Sequence, residues 1–577
     1  MPPYSFVAGN SVAGQVSLVV AITGHRDLDP AHTSWYRDRI GHIFGELRRR
    51  YPETPLLLMS GLAEGADRIA VRAALDRDIP FIAVLPMPED LYRCDFVTEA
   101  SDNEFVELRA QALRCLTLPL IPATEAGSEA GSDAAQQSAR NAQYQALARF
   151  FVQYSQILIA IWDRDRTERK PGGTADVVMM KLRQGSSQSR HLSFSPLNTD
   201  GSGPVYILAG HRLGAAGSEP PALACSVEFP DGVDPAVYES SYSLLNRFNG
   251  DIRRLEGRIS AGAEVSGQDL MEGREPIDLS EAMKWVASVY ARADRLAIWF
   301  NRQSLLLLQA VFVLIAVSGI SISLMHALDT SAWVLAVYYG GYAAAVALIA
   351  WQHATGRQSR HEDYRSLAEA LRVQFFWMAA GVRDLAADKY LRKQADEMIW
   401  IRDALSECAL FPNALGLASP EAREASGGFD FAREWVRGQK QYFGRRALVL
   451  ESRQRAFRWF ALTASAVGVI APLARLLSLP AAYDHGSRAA AFISLVLAGL
   501  AWDYIERRGF MQEARQYTRM FALFRDAERD LSRFVQNMNF VSSEEIIREL
   551  GCEALAENGD WLAMHRERKL SVDMPVG

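Results

Sequence analysis

The stretch VVAITGHRDL, residues 19–28, decides how the first part of the chain is read. An unbroken apolar run stops at Gly24, and His25, Arg26 and Asp27 follow at once. The run belongs to VSLVVAIT (16–23), and five segments further on repeat its character: PLLLMS (55–60), FIAVLP (81–86), LTLPLI (116–121), ILIAIWD (157–163) and VYILAG (205–210). Near-continuous apolarity, without polar alternation, marks strands buried on both faces. Segments 31–51 and 63–76 lie between such runs and carry apolar residues at helical spacing. Strands alternating with helices predict an α/β domain built on a parallel sheet. Such sheets bind ligands beyond the carboxyl ends of their strands, so the residues after each strand matter most.

After the first strand come Gly24, His25, Arg26 and Asp27. After the second comes SGLAEGADRIA (60–70), in which Gly61 and Gly65 flank a turn that opens a helix. Ser60 leads into that turn, its amides are suited to a phosphate, and Glu64 or Asp67 to a ribose hydroxyl. Pro86 turns the chain after the third strand. After the fifth comes WDRDRTERKPGGTADVV (162–178). Asp163 opens this loop, Arg164, Arg166, Arg169 and Lys170 follow, and Gly172 and Gly173 precede a helix with Thr174 as N-cap and Asp176 in its first turn. Each element alone has a plain alternative. A glycine pair before a helix is commonly a simple turn, acids at a helix start complement its dipole, and a basic run is commonly solvated. The weight comes from four polar or glycine-rich loops at one sheet edge.

A second Gly-His-Arg stands in VYILAGHRLG (205–214). It runs into AAGSEPPALA, with no glycine-opened helix behind it. An antiparallel last strand would end at the opposite edge, and His211 and Arg212 are read as surface residues. Residues 124–143 read as a small, polar surface insertion, and 183–203 as a long loop at the sheet edge.

The ordered set ITGHRDL, SGLAEGADRIA, FIAVLP, ILIAIWD and PGGTADVV resembles the SLOG superfamily. That superfamily groups DNA-processing protein A, the LOG cytokinin-activating hydrolases and the N-terminal sensor of melastatin-type TRP channels. The resemblance covers about residues 16–230. It implies a Rossmann-like fold that binds a nucleotide-derived ligand, ADP-ribose-like or a cyclic nucleotide. Carried over by motif, the contacts are Gly24, His25, Arg26, Ser60, Gly61, Glu64, Gly65, Asp163, Gly172, Gly173 and Thr174. The residues themselves add Asp27, Asp67, Pro86 and Asp176. The LOG hydrolases carry Pro-Gly-Gly-x-Gly-Thr-x-x-Glu with a catalytic glutamate. Here Pro171-Gly172-Gly173 runs straight into Thr174-Ala175-Asp176, so the second glycine step and the glutamate are missing. No catalytic residue is assigned, and sensing without turnover is the expectation.

At 577 residues the chain exceeds one core. A net charge of -6 gives no support to a nucleic-acid partner. The five cysteines are widely spaced, with no zinc-ligand spacing, and the odd count argues against a disulfide framework. No metal and no resident cofactor are expected. The N-terminal residues lack the charged and apolar regions of a signal peptide.

The second half differs in kind. Residues 304–328 and 331–351 are long apolar segments, and 456–479 and 489–505 form a second, weaker pair. About 20 apolar residues cross a hydrocarbon core of about 30 Å. Four transmembrane helices in two hairpins are predicted, with Pro472 kinking the third. Arginines cluster outside both hairpins, among them Arg295, Arg302, Arg357, Arg360, Arg453, Arg455, Arg507 and Arg508, while the turns are poorer in charge. By the positive-inside rule both termini are cytoplasmic in a multi-pass protein of the cell's inner membrane. Each hairpin follows a basic helix and leads into a charged helix containing tyrosine, as a diverged repeat would. This layout is similar to the SLATT family of membrane effectors, which are predicted to associate with nucleotide-sensing domains in bacterial conflict systems. Ser318, Ser321, Thr463 and Arg475 are pore candidates, with helix packing the plainer role for the hydroxyls. Four spans make no wide pore in one chain, so a channel requires a homo-oligomer.

The division expected is 1–235 for the nucleotide-sensing domain, 236–303 for a helical linker, 304–351 for the first hairpin, 352–455 for cytoplasmic helices, 456–505 for the second hairpin and 506–577 for C-terminal helices. The leading function is a nucleotide-gated oligomeric membrane pore or membrane-disrupting effector in bacterial antiviral defence. The alternatives are a membrane-anchored hydrolase of a nucleotide or NAD derivative, which needs a working acid at Asp176 or Glu64, and a membrane scaffold.

Overall fold

A computed structural model describes residues 13–96, 98–121, 133–165, 170–182, 201–213, 223–270, 279–328, 333–390, 398–411, 428–473, 482–536 and 540–567. They fall into two compact units. The first takes Met1–Ala293, Leu367–Ser426 and Ala554–Gly559; the second takes Asp294–Ser366, Gly427–Glu553 and Asp560–Gly577.

The first unit is built on a seven-stranded sheet in the order β4-β3-β2-β1-β5-β6-β7. Its strands are β1 (Leu18–Gly24), β2 (Leu56–Ser60), β3 (Phe81–Leu85), β4 (Arg114–Thr117), β5 (Ile157–Trp162), β6 (Val205–Ala209) and β7 (Cys225–Glu228). The first six run parallel, and β7 pairs antiparallel with β6. The central strands are buried at every position but the exit of β1, which is why they read as continuous apolar runs. β7 was not expected: CSVE is short and half-exposed, and an edge strand needs no apolar run. β4 begins before the expected 116 and stops before Leu118-Pro119.

The helices between the strands are α1 (Thr33–Arg50), α2 (Ala66–Leu75), α3 (Glu89–Arg93), α4 (Glu99–Gln111), α5 (Asp133–Tyr154) and α6 (Thr174–Lys181). α1 and α2 share one apolar cluster with Leu18, Val20 and Ile22, the alternate residues of β1. α5 and α6 pack on each other and also meet β1. The chain winds outward from β1 to β4, then returns to the other side of β1 with β5. The strand order therefore reverses between β1 and β5, and the two carboxyl ends there leave a crevice.

The opposite edge is closed by helices from much later in the chain. The Asn249 amide side chain, on α7 (Pro235–Leu270), accepts from Val16 N (2.9 Å) and donates to Val16 O (2.8 Å). Glu407 accepts from the Ser17 amide (2.7 Å) and hydroxyl (3.0 Å). The Lys181 ammonium donates to the carbonyls of Val152, Ser155 and Gly201 at 3.0, 2.6 and 2.6 Å. Burial pushes this lysine down to about 7 and Asp403 up to about 6. These buried polar groups, Asn249, Glu407 and Lys181, are thus partnered, as burial requires. Glu407 comes from a segment that the sequence assigns to separate cytoplasmic helices.

The second unit is helical. Among the described residues four helices are long and apolar enough to cross a membrane: Glu281–Met325, Trp333–Thr355, Ala432–Leu473 and Gly486–Phe534. They overlap the four apolar segments expected, of which 331–332 and 474–479 lie outside the described residues. The first belongs to α8 (Glu281–Leu328), whose residues up to Ala293 count with the first unit. Val313, Tyr339, Trp459, Ile470 and Phe492 on these helices are exposed, as side chains meeting lipid would be. Small residues let the helices approach. A Cβ at Gly319 would press on Val496, and one at Gly468 on Leu495. Pro472 lies one residue before the end of the described helix Gly428–Leu473.

The pore candidates separate. Ser318 is buried, and a Cβ at Gly341 would overlap its hydroxyl, so it sits in a helix–helix contact. Ser321 donates to the Val317 carbonyl of its own helix at 2.8 Å. Thr463 is exposed and donates to Trp459 O and Phe460 O, both at 2.9 Å. Arg475 lies outside the described residues.

Candidate functional site

A cavity of about 500 Å³ lies at the reversal point of the sheet, over the carboxyl ends of β1 and β5. Its walls come from six places: the loop after β1, the β2–α2 turn, α3 and its end, α5, the segment after β5 and the segment after β6.

After β1, Gly24 is packed too closely for a side chain, since a Cβ there would run into Ala66. His25 bridges to the end of β5: its Nε2 lies 3.1 Å from Asp163 Oδ1 and 3.3 Å from the Asp163 amide. Arg26 crosses the cavity to α5, donating to Tyr144 Oη (2.9 Å) with its guanidinium 5.3 Å from the ring centroid. Burial pulls the Arg26 guanidinium down, but Tyr144, Tyr92 and Asp95 outweigh it, and its pKa is raised. Burial also pushes the Tyr144 hydroxyl up to about 12, so it stays protonated and donates to Asp95. Arg140 pairs with the same carboxylate.

The β2–α2 turn is spent on the protein itself. Gly65 has φ +76°, and a Cβ there would collide with the carbonyl oxygens of His25 and Arg26. The first amide of α2, Ala66 N, donates to His25 O at 3.2 Å. Asp67 Oδ2 accepts from the amides of Gly61 (2.9 Å) and Ala63 (3.3 Å). The amides of Gly61, Ala63 and Ala66, among those expected to hold a phosphate, therefore already have acceptors. Ser60 is fully buried and accepts from the Leu62 amide; Glu64 takes the Ser101 hydroxyl; Gly61 O accepts from Tyr92 Oη. Ser60, Gly61, Glu64, Gly65 and Pro86 do not line the cavity, whereas Asp67 does. Burial, opposed by its two amide donors and by Arg26, raises the Asp67 carboxyl from 3.8 to about 6.

The turn before α6 is different. Gly172 has φ +74°, and Gly173 N donates to Lys170 O at 2.9 Å. The helix cap is Gly173 rather than Thr174, with no side-chain cap bond, and Thr174 is the first helical residue. Asp176 turns back under the loop and accepts from Gly172 N at 3.0 Å, so the cavity is lined by Gly172, Gly173, Thr174 and Ala175 but not by Asp176. First-turn amides have no acceptor within their helix, so this helix start retains donors for an anion. Lys170 stands exposed beside it and has no partner among the described residues.

The second Gly-His-Arg corrects the sequence reading. Because β6 is parallel to β5, its carboxyl end lies at the same edge as Gly24; the antiparallel strand is β7. Arg212 forms a bridge with Leu28, and its guanidinium holds Asp27 at 3.0–3.1 Å and lies 3.8 Å from Asp163. His211 is buried, its ring 4.5 Å from that of His32. His211 is thus not at the surface, and Arg212, a third exposed, lines the cavity.

Tyr92, Asp95, Arg140 and Tyr144 were not anticipated. The last two sit on α5, whose first half lies in the stretch read as an insertion. Among the described residues no cluster of three or more His, Cys, Asp or Glu is placed to hold a metal ion. No family model, curated protein or solved structure matches this chain.

Proposed function

We propose that the chain is a ligand-gated membrane effector. A nucleotide-derived signal binds the cavity at the β1–β5 reversal, and an oligomer of the four-span region opens or disrupts the bilayer. The observation that carries this reading is a charged cavity at a sheet reversal in a chain that also carries four membrane-length helices. A volume of about 500 Å³ falls within the range of small-molecule sites. In this reading the phosphates take the α6 start, Lys170 and Arg26, and the ribose hydroxyls donate to the aspartates beside Arg212. The resemblance to the SLOG superfamily supports a Rossmann-like nucleotide sensor. The two-hairpin layout, similar to the SLATT family, supports an effector role in bacterial antiviral defence, in the inner membrane with both termini cytoplasmic.

Sensing is favoured over turnover by one geometric fact: Asp176 caps Gly172 and Glu64 engages Ser101, so neither acid named for hydrolysis lines the cavity. The experiment is dye release from liposomes holding the full-length protein, with ADP-ribose, cyclic ADP-ribose and nucleoside monophosphates added in turn. One ligand should trigger release, and Arg26→Ala should abolish it without loss of insertion. Release indifferent to every ligand and to Arg26→Ala removes the proposal.

A further inference from the structure

The second unit has its own cavity, of about 160 Å³, where the membrane helices meet on their basic side. Its wall includes Ser304 and Leu308 at the start of the first apolar segment and Gln352 near the end of the second. Arg453 just before the third and Arg507 just after the fourth complete it, so all four spans root at one place.

The charge there is unbalanced. Arg365, Arg446, Arg453, Arg507 and Arg508 line the cavity, against Glu362 and Glu513. Both carboxylates are engaged: Glu513 Oε1 lies 3.1 Å from His565 Nε2, and Glu362 Oε1 accepts from Gln358 Nε2 at 3.0 Å. Arg507 is held by Asp503 (2.8 Å). Arg365 donates to the Tyr517 hydroxyl (3.3 Å) and lies over the face of Trp561, 4.5 Å from the ring centroid. Arg453 is exposed and meets no acceptor among the described residues. Buried polar atoms at the wall, Ser304 Oγ and Gln352 Oε1 among them, have no hydrogen-bond partner among the described residues.

Guanidinium groups in excess, with a hydroxyl beside them, select a phosphate. Its volume suits a phosphate with a small substituent and not a whole nucleotide. The cavity stands at the end of apolar helices whose outer faces expose Leu306, Val313 and Phe492, where acyl chains would run. Basic pockets between membrane helices take the headgroups of anionic lipids. We propose that this cavity binds the phosphate of an anionic phospholipid, which bridges the two hairpins at their basic roots.

The test uses the full-length protein in a nonionic detergent, with no nucleotide present, so its outcome is independent of the ligand of the first unit. Thermal midpoints are measured against dioctanoyl phosphatidylglycerol, dioctanoyl phosphatidylcholine and inorganic phosphate. Phosphatidylglycerol should raise the midpoint at concentrations where the other two do not. Arg453→Gln combined with Arg508→Gln should weaken that response by about tenfold or more, while Arg458→Gln, outside the cavity wall, should leave it unchanged. Inorganic phosphate acting as well as the lipid would overturn the lipid as the source. A response equal for phosphatidylcholine, or absent for all three, would overturn the site.

Discussion

Replacing Asp67 by asparagine should stabilise the protein at neutral and alkaline pH. Asp67 lies at the floor of the β1–β5 cavity, 7 % exposed, with one carboxylate oxygen accepting from the amides of Gly61 and Ala63. Burial moves its carboxyl from 3.8 to about 6, against the pull of those amides and of Arg26. In the unfolded chain the group loses its proton near the lower value, and in the folded chain near the higher. Between the two the folded state holds a proton that the unfolded state has released, so stability falls as pH rises through that window. Above about pH 6 both forms are ionised and the full cost is present. A gap of about two units corresponds to about 3 kcal/mol. Asparagine keeps an acceptor oxygen for the two amides and never ionises. At about pH 8 the variant should therefore be more stable by up to about 3 kcal/mol, and near pH 4 the difference should vanish. At roughly 2–4 °C per kcal/mol, the thermal midpoint in detergent should rise by several degrees at the higher pH. A variant equally or less stable than the parent at about pH 8 would refute the reasoning. It would show that the ionised Asp67 carries no cost in the folded protein, with Arg26 as its counter-charge rather than available to a ligand.

Arg26→Ala and Arg212→Ala should each weaken binding of the activating nucleotide about 10- to 100-fold by calorimetry, as loss of a charged hydrogen bond does; an unchanged affinity for Arg212→Ala would confine the second Gly-His-Arg to a structural part. Gly65→Ala, at φ +76° and against two carbonyl oxygens, should cost about 1–3 kcal/mol and displace the His25–Arg26 loop, seen as a lower midpoint and lost binding together. Ser318→Leu should disrupt the close contact with Gly341 and lower the midpoint by an amount matching about 1–3 kcal/mol of overpacking, whereas Thr463→Val, on an exposed face, should leave it unchanged.

How much of this was legible in the sequence depends on whether the signal was local. The strands were, because burial on both faces leaves an apolar residue at every position, and the six parallel runs lie within a few residues of where they were expected. The membrane helices were, because length and apolarity suffice. The direction of β6 was not: it is fixed by pairing with β5, 40 or so residues away, and nothing inside VYILA encodes it. That one unknown put Arg212 on the wrong side. The early part of α5 was missed because small polar residues also make a good helix, and their alanine content speaks for neither state alone. The closure of the strand starts by Glu407 was invisible for a third reason. A carboxylate 390 positions from its partner Ser17 leaves no local trace.

The candidate acids teach something narrower. Sequence put glycine-rich turns and acids after β2 and after β5, and nothing in composition separates the two. Folding does. After β2 the Ala66 amide goes to His25 and the Gly61 and Ala63 amides go to Asp67, so that helix start is satisfied from within. After β5 the acid Asp176 takes only the Gly172 amide, ahead of the helix, and the first helical residues Thr174 and Ala175 face the cavity. The anion position thus belongs to α6, beside Lys170. Across the cavity, Arg212 is shared between Asp27 and Asp163, and Asp165 also faces the space. A bare anion would satisfy the α6 end and repel the carboxylates. A ligand with phosphate oxygens at one end and hydroxyl donors at the other satisfies both, which is the arrangement of a ribose phosphate. Replacing Asp27 by asparagine should therefore weaken a ribose-bearing ligand while leaving inorganic pyrophosphate binding as strong or stronger. Equal loss for both would mean that Asp27 acts only by holding Arg212.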